Sequence, residues 1–167
     1  MIRELFSREA IEKKIGQMGR EIAESYRGKD LTVIVLMNGG AFFACDLVRA
    51  MDMPIWFDSM RASSYIHDRR GDNVAISDTL KLPVKGRHIL LADDIFDSGK
   101  TVESCKKYLL DAGALSVKCA VLLNKEVPGR TTQPDWAGFN APDLYLIGAG
   151  LDSEEFYRNL PMVGYIE

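Results

Sequence analysis

Residues 89–102 read Ile-Leu-Leu-Ala-Asp-Asp-Ile-Phe-Asp-Ser-Gly-Lys-Thr-Val. Four apolar residues lead into two adjacent carboxylates, a small polar turn with a glycine follows, and a helical pattern begins. Strand, turn and helix in that order form the repeating unit of a parallel α/β sheet. The same run suggests a chemistry. Backbone N–H groups of the turn and of a helix N-terminus hold phosphate well, and the helix dipole adds roughly half a positive charge there. Carboxylates accept hydrogen bonds from sugar hydroxyls. On a strand Asp93 and Asp94 would point to opposite faces, whereas at a strand end, where the chain turns, both can reach one ligand. A capped turn with solvated acids explains the Asp and Ser residues alone, but not the whole run. It is not a Walker loop, because the G-x-x-x-x-G-K-[ST] spacing is absent.

Upstream, Ser7 caps a helix whose face is Ile11, Ile15, Met18 and Ile22, with Gly28 at its end. Leu31 to Met37 is a continuous apolar run, expected as a buried strand. Asn38-Gly39-Gly40 turns the chain into a helix with Phe43, Leu47 and Met51 inward. Pro54 to Met60 reads as a strand, and the charged stretch 62–73 as a long loop. Downstream, His88 to Ala92 is a strand, Ser98 to Ala112 a helix and Ser116 to Leu123 a strand. Residues 126–143, rich in Pro, Gly, Thr and Asp, read as one long connection. Leu144 to Ile147 and Met162 to Ile166 are short strands, with a helical turn at Ser153 to Arg158 between them. Ligands of such sheets sit beyond the strand C-termini, where the Asn38 turn, the Asp93 run and Lys125 converge.

At 167 residues the chain is expected to form one domain, 1–167, with a sizeable core. The net charge of −3 argues against a nucleic-acid or anionic-membrane surface. No stretch approaches the roughly 20 apolar residues of a membrane span. Cys45, Cys105 and Cys119 form no CxxC pair, and an odd count without an apolar leader points to reduced thiols in a cytoplasm.

The 89–102 run resembles the phosphoribosyl-pyrophosphate motif of type I phosphoribosyltransferases, in which two acidic residues follow a hydrophobic strand and precede a D-[TS]-G-[KR]-T loop. The resemblance implies an α/β fold: a mostly parallel central sheet with helices on both faces and a small hood formed by the two termini. It implies that Asp93 and Asp94 bind the ribose hydroxyls and that Asp97, Ser98, Gly99, Lys100 and Thr101 wrap the 5′-phosphate. Leu36-Met37-Asn38-Gly39-Gly40 resembles the pyrophosphate loop of the hypoxanthine-guanine branch, which often carries a non-proline cis peptide just before the Asn38 position. Asn38 stands where some members have lysine. Ser63-Ser64-Tyr65 resembles the Ser-Tyr of the family's catalytic lid, with Arg61 near its hinge.

The C-terminal third carries the branch pattern in order. Lys125 is followed by Trp136-Ala137-Gly138-Phe139, Pro142-Asp143-Leu144-Tyr145-Leu146-Ile147-Gly148, Leu151-Asp152 and Phe156-Tyr157-Arg158-Asn159-Leu160-Pro161. This resembles the succession of the 6-oxopurine enzymes. It implies that Lys125 donates to the purine 6-oxo group, Tyr145 stacks on the base and the backbone of Leu146 reads the purine edge. It further implies that Arg158 contacts pyrophosphate and that Asp152, with Asp93 and Asp94, lies at a magnesium site. The implied activity joins phosphoribosyl pyrophosphate to hypoxanthine, and to guanine, with Asp97 accepting the N7 proton of the base. The implied assembly is a homodimer or homotetramer. A non-catalytic sensor of phosphoribosyl pyrophosphate, or a transferase for xanthine or a pyrimidine, is the alternative.

Overall fold

The structure, a computed structural model, describes residues 1–64, 74–77 and 79–167, without the side chains at 63 and 64. In chain order the elements are β1 (Ile2–Phe6), α1 (Arg8–Ser25), β2 (Leu31–Met37), α2 (Gly40–Arg49), β3 (Trp56–Ser64) and β4 (Val74–Ser77). They continue with β5 (His88–Phe96), α3 (Lys100–Asp111), β6 (Ser116–Lys125), β7 (Trp136–Ala141), β8 (Leu146–Ile147) and β9 (Val163–Ile166). Six strands form the main sheet in the order β4-β3-β2-β5-β6-β7, parallel throughout except for the antiparallel edge strand β4. The two termini meet in a small antiparallel sheet, β1-β9-β8, which is the expected hood.

Alternation along the buried strands divides the interior into two cores. Leu31, Val33 and Val35 of β2, Leu90 and Ala92 of β5, and Ala120 and Leu122 of β6 pack with Ile11, Ile15, Met18 and Ile22 of α1 and Phe43 and Leu47 of α2. The intervening residues, among them Ile34, Leu36, Ile89, Leu91, Cys119 and Val121, pack on the other face with Val102, Cys105 and Leu109 of α3. This two-sided burial is why β2 reads as an unbroken apolar run. Each fully buried Leu or Ile contributes about 1.5–3 kcal/mol. Ser7 caps α1 as expected, its Oγ accepting from the Ala10 N–H at 3.3 Å, an interaction worth about 1 kcal/mol. Among the described residues no helix is long and apolar enough to cross a membrane.

Several expectations are corrected. Strand β5 does not stop at Ala92 but continues through both acids to Phe96, because its ladder with β6 runs on through Asp93↔Val121, Ile95↔Leu123 and Phe96↔Asn124. Helix α3 begins at Lys100 rather than Ser98, because Gly99 is left-handed at φ +82°. The stretch 126–143 is not one connection: it contains β7, whose Phe139 stacks on Phe6 at 4.3 Å, so only 126–135 fits its turn-rich composition. Residues 62–64, expected in a loop, extend β3 and pair with β4. The segment 153–158 is not helical. Positive φ values at Glu154, Glu155 and Tyr157, with a bridge from Ser153 to Phe156, make it a pair of tight reverse turns. Strand β1, with Arg3 and Glu4 in its middle, lacks the apolar signal of the others; it forms because β9 pairs with it.

Candidate functional site

Parallel pairing brings the C-terminal ends of β2, β5 and β6 side by side. A cavity of about 270 Å3 opens there, lined by Leu36, Met37, Gly39, Ala62, Asp93, Asp94, Asp97, Ser98, Gly99, Thr101 and Arg158 among others. Eight residues singled out in the sequence for ribose-phosphate and pyrophosphate therefore share one cavity. Lys100 and Asn38 flank it. The Met37–Asn38 bond is cis, as the resemblance implied. The Asn38 Oδ1 accepts from Arg61 Nη2 at 3.2 Å, so Arg61 supplies a cation beside a loop that carries no lysine. Ser64 ends β3 with its backbone paired to Val74; Tyr65 lies outside the described residues.

The two acids are folded back on the chain. Asp93 Oδ1 accepts from the Asp94 N–H at 2.9 Å, and Asp94 Oδ1 accepts from the Ile95 N–H at 2.8 Å. Asp94 is only 8% exposed. Burial, and then the neighbouring Asp94 carboxylate, push the Asp93 carboxyl well above the usual carboxylate range. Burial also raises Asp94, against the bonds to Asp93 and the Ile95 N–H and the charge of Arg158. The pair is thus short of positive partners, and hydroxyl groups of a sugar would give it the donors it lacks. Gly39 is required opposite it: a Cβ there would stand 1.9 Å from Asp94 Oδ2.

Beyond Asp97 the turn delivers the N–H groups of residues 98–101 to the start of α3, with Lys100 N 3.4 Å from Ser98 Oγ. The β5–β6 register matters here. Because Phe96 stands opposite Asn124, the residues that follow them, Asp97 just past the end of β5 and Lys125 at the end of β6, are neighbours. Lys125 Nζ lies 3.4 Å from Asp97 Oδ2 and 2.9 Å from Asp143 Oδ1. Burial works against its charge, but Asp143 and Asp97 outweigh this and hold the ammonium above the usual lysine value. Lys125 also faces an open hollow of about 460 Å3, with Asn124, Pro128, Arg130 and Asn140 around it. Asp143 was visible in the sequence only as part of a Pro-Asp pair; its bond to Lys125 is a tertiary fact.

The hood supplies the remaining groups. Leu146 is buried in β8, its backbone paired with Tyr165, while Tyr145 before it is 65% exposed. Arg158 donates to the Gly150 carbonyl at 2.8 Å and lies 2.9 Å from Asp152 Oδ1 and 3.0 Å from Glu155 Oε2. Asp152 Oδ2 accepts from the Glu155 N–H at 2.9 Å. Among the described residues no three His, Cys, Asp or Glu side chains gather into a metal cage. Asp152 and the Asp93–Asp94 pair are all-oxygen donors, the chemistry magnesium takes, and a magnesium ion carried on substrate oxygens and water needs few protein ligands. Cys105, pushed up to about 12 by burial, and Cys119, also raised by burial, are inert core thiols.

A doubly covered parallel sheet with an acid pair and a small turn leading into a helix at its C-terminal edge is an arrangement suited to a sugar phosphate. The family model for the phosphoribosyl transferase domain matches residues 1–153. The chain belongs to the phosphoribosyltransferase family. Relatives that match it nearly end to end carry a narrower description. The hypoxanthine-guanine phosphoribosyltransferase of Lactococcus lactis is 36% identical over 98% of this chain and 90% of its own. The hypoxanthine-guanine-xanthine phosphoribosyltransferase of Tritrichomonas foetus is 32% identical over 99% and 91%. The crystal structure of a hypoxanthine-guanine phosphoribosyltransferase from Bacillus anthracis, with a HEPES molecule in its active site, superimposes with a TM-score of 0.92 at 28% identity, covering 100% of both chains.

Proposed function

We propose that the protein is a purine-salvage enzyme that transfers the 5-phosphoribosyl group of phosphoribosyl pyrophosphate to hypoxanthine, and to guanine, forming the nucleoside monophosphate and pyrophosphate. The observation that carries this reading is the meeting of Lys125 with Asp97, 3.4 Å apart, which joins a base-recognising cation to the ribose-phosphate turn.

The amides of residues 98–101 and the start of α3 hold the 5′-phosphate. Asp93 and Asp94 accept from the ribose hydroxyls, which relieves their burial. Arg158 exchanges Glu155 for a pyrophosphate oxygen. Lys125 donates to the purine 6-oxo group, and an amino group at that position would present a donor to a donor, so 6-aminopurines are refused. Tyr145 covers the face of the base and the Leu146 backbone reads its edge. As the C1′–O bond to pyrophosphate breaks through an oxocarbenium-like state, N9 of the purine bonds to C1′. The N7 proton passes to Asp97. Asp152, with Asp93 and Asp94 nearby, would hold magnesium through the pyrophosphate; when bound, it neutralises charge on the departing group. Ser64 and Tyr65 are assigned to a lid that keeps water from the sugar cation.

A homodimer or homotetramer is the assembly proposed, and Phe42, 45% exposed beside Leu160 and Pro161 in a hollow rimmed by Arg8, Glu12, Asp46 and Arg49, offers apolar surface for it. A cytoplasmic location is supported by the three unpaired thiols. The test of the activity is a spectrophotometric assay with magnesium, phosphoribosyl pyrophosphate and each of hypoxanthine, guanine, xanthine and adenine. Nucleotide from hypoxanthine and guanine is expected; none from any oxopurine overturns the reading.

A further inference from the structure

We propose that Arg130 is a positioning residue, which fixes the backbone at Phe96 and Asp97 and thereby sets where the Asp97 carboxyl meets the purine. The inference rests on the phosphoribosyl-transfer reading above. Arg130 lies in the connection between β6 and β7, in sequence an unremarkable residue of a Pro-Gly-Arg-Thr-Thr run. In the structure its guanidinium is committed at four of five N–H positions. Nη1 donates to two successive carbonyls, Phe96 O at 3.0 Å and Asp97 O at 2.7 Å. Nη2 donates to Asn124 Oδ1 at 2.6 Å and to Gln133 Oε1 at 3.1 Å. Only Nε, buried, has no partner among the described residues.

The choice of targets is what gives the contact its meaning. Asp97 follows the last residue of β5, where the regular ladder with β6 has ended. Arg130 donates to its carbonyl, and its fork ties that carbonyl to the side chain of Asn124, the residue opposite Phe96 in the ladder. Lys125, next to Asn124, holds the Asp97 carboxyl from the other side. The guanidinium also lies over the Phe96 ring, 4.9 Å from its centroid. That ring backs the turn, since a Cβ at Gly99 would stand 2.8 Å from Phe96 Cζ. One planar cation therefore braces the main chain of the base and the wall behind the phosphate turn. It does not line the sugar-phosphate cavity, and although it borders the hollow that Lys125 faces, both of its Nη groups are committed to protein acceptors, so it acts through Asp97. A lysine cannot replace it, because a single ammonium lacks the fork and the flat face.

The test assays wild type, R130M and R130K in parallel with hypoxanthine, phosphoribosyl pyrophosphate and magnesium, each below its own melting temperature by circular dichroism. In R130M, kcat is expected to fall on the order of 10²-fold, the cost of a misplaced reacting group, with KM for hypoxanthine within about 3-fold. R130K, which keeps the charge and loses the fork, is expected to recover part of kcat and remain about 5-fold or more below wild type. A role confined to folding lowers the melting temperature and leaves kcat per folded enzyme unchanged; that result overturns the proposal. If R130M does not fold, R130K decides: a reduced kcat at kept KM supports the proposal, and a wild-type kcat overturns it. A wild type that makes no nucleotide disposes of the transferase reading and of Arg130 with it. That outcome is distinct from an active wild type matched by R130M.

Discussion

The sugar-phosphate end of the cleft takes most of its groups from one unbroken run, Asp93 to Thr101, whereas Lys125, Tyr145, Leu146 and Asp152 reach the proposed base end from separate segments. The first end is enclosed at its acid pair, where Asp94 is 8% exposed and Gly39 is packed against it, while Asp97, Ser98 and Lys100 of its turn are exposed. At the second Leu146 and the Lys125 side chain are largely buried, and Tyr145 stands out at 65% exposed. The contrast fits what each end is proposed to bind. A phosphorylated sugar is polar, of constant shape, and can be met by a fixed, preorganised set of acceptors and amides. A flat base is bound by a face and an edge, and the face becomes covered only when the base arrives. Between the two stands Asp97, which belongs to the run by sequence and to the base end by contact, through Lys125.

The comparison can be broken or sharpened by substitution. The largest effect is expected at the junction. Asp97→Asn keeps the size and the backbone and removes the proton acceptor, so kcat is expected to fall roughly 10²–10⁴-fold, with far-ultraviolet circular dichroism unchanged. Unchanged turnover would remove Asp97 from the chemistry and leave the two ends without a catalytic link. Next is Lys125→Ala at the base end. Loss of a charged hydrogen bond of about 1.5–3 kcal/mol should raise KM for hypoxanthine roughly 10–100-fold while KM for phosphoribosyl pyrophosphate moves little. Equal loss for both substrates would mean that the ends are not separable.

Gly39→Ala tests the enclosed end by stability. The new methyl would meet Asp94 Oδ2 at 1.9 Å, so a loss of about 1–3 kcal/mol is expected from chemical denaturation. A neutral result would show that the carboxyl swings away freely.

The smallest effect has the opposite sign. Asp93 has its folded-state pKa raised, chiefly by burial. A carboxyl of this kind favours the fold when protonated, so its stability contribution is fully present below the unfolded value of about 3.9 and declines as pH rises toward the folded value. Asp93→Asn, neutral at every pH, is therefore expected to stabilise the free protein by about 1 kcal/mol at neutral pH. The gain should vanish in melts recorded below the unfolded carboxyl pKa. A destabilised variant at neutral pH would show that the hydrogen bond from the Asp94 N–H outweighs the burial of charge.

Local features were legible along the chain for local reasons. Strand β2 was found to the residue because burial on both faces leaves an unbroken apolar run. Ser7 was found as a cap because a cap acts within its own turn. Strand β7 was hidden by the turn-rich composition before it; what makes it a strand is its ladder with β6 and the stacking of Phe139 on Phe6, a partner far away in sequence. Edge strand β4 was hidden in the same way, since a half-buried edge has little pattern of its own. The reverse turns at 153–158 are set by hydrogen bonds from Gly150 and Arg158 across the hood, not by propensity.

The same division runs through the site. The sequence alone grouped the residues proposed for ribose phosphate, because an acid pair, a small turn and a helix start act within a few residues of one another and their spacing is their geometry. It also determined which residue types stand ready for a purine. Only the tertiary structure decided which of them meet. Lys125 reaches Asp97 because β5 and β6 pair with Phe96 opposite Asn124. Arg130 joins them from the connection that leaves β6 at that edge, and Asp143 because β7, parallel to β6, returns the chain to it. A parallel register is fixed by the packing of two cores on either side of the sheet, and no stretch of sequence read by itself contains it.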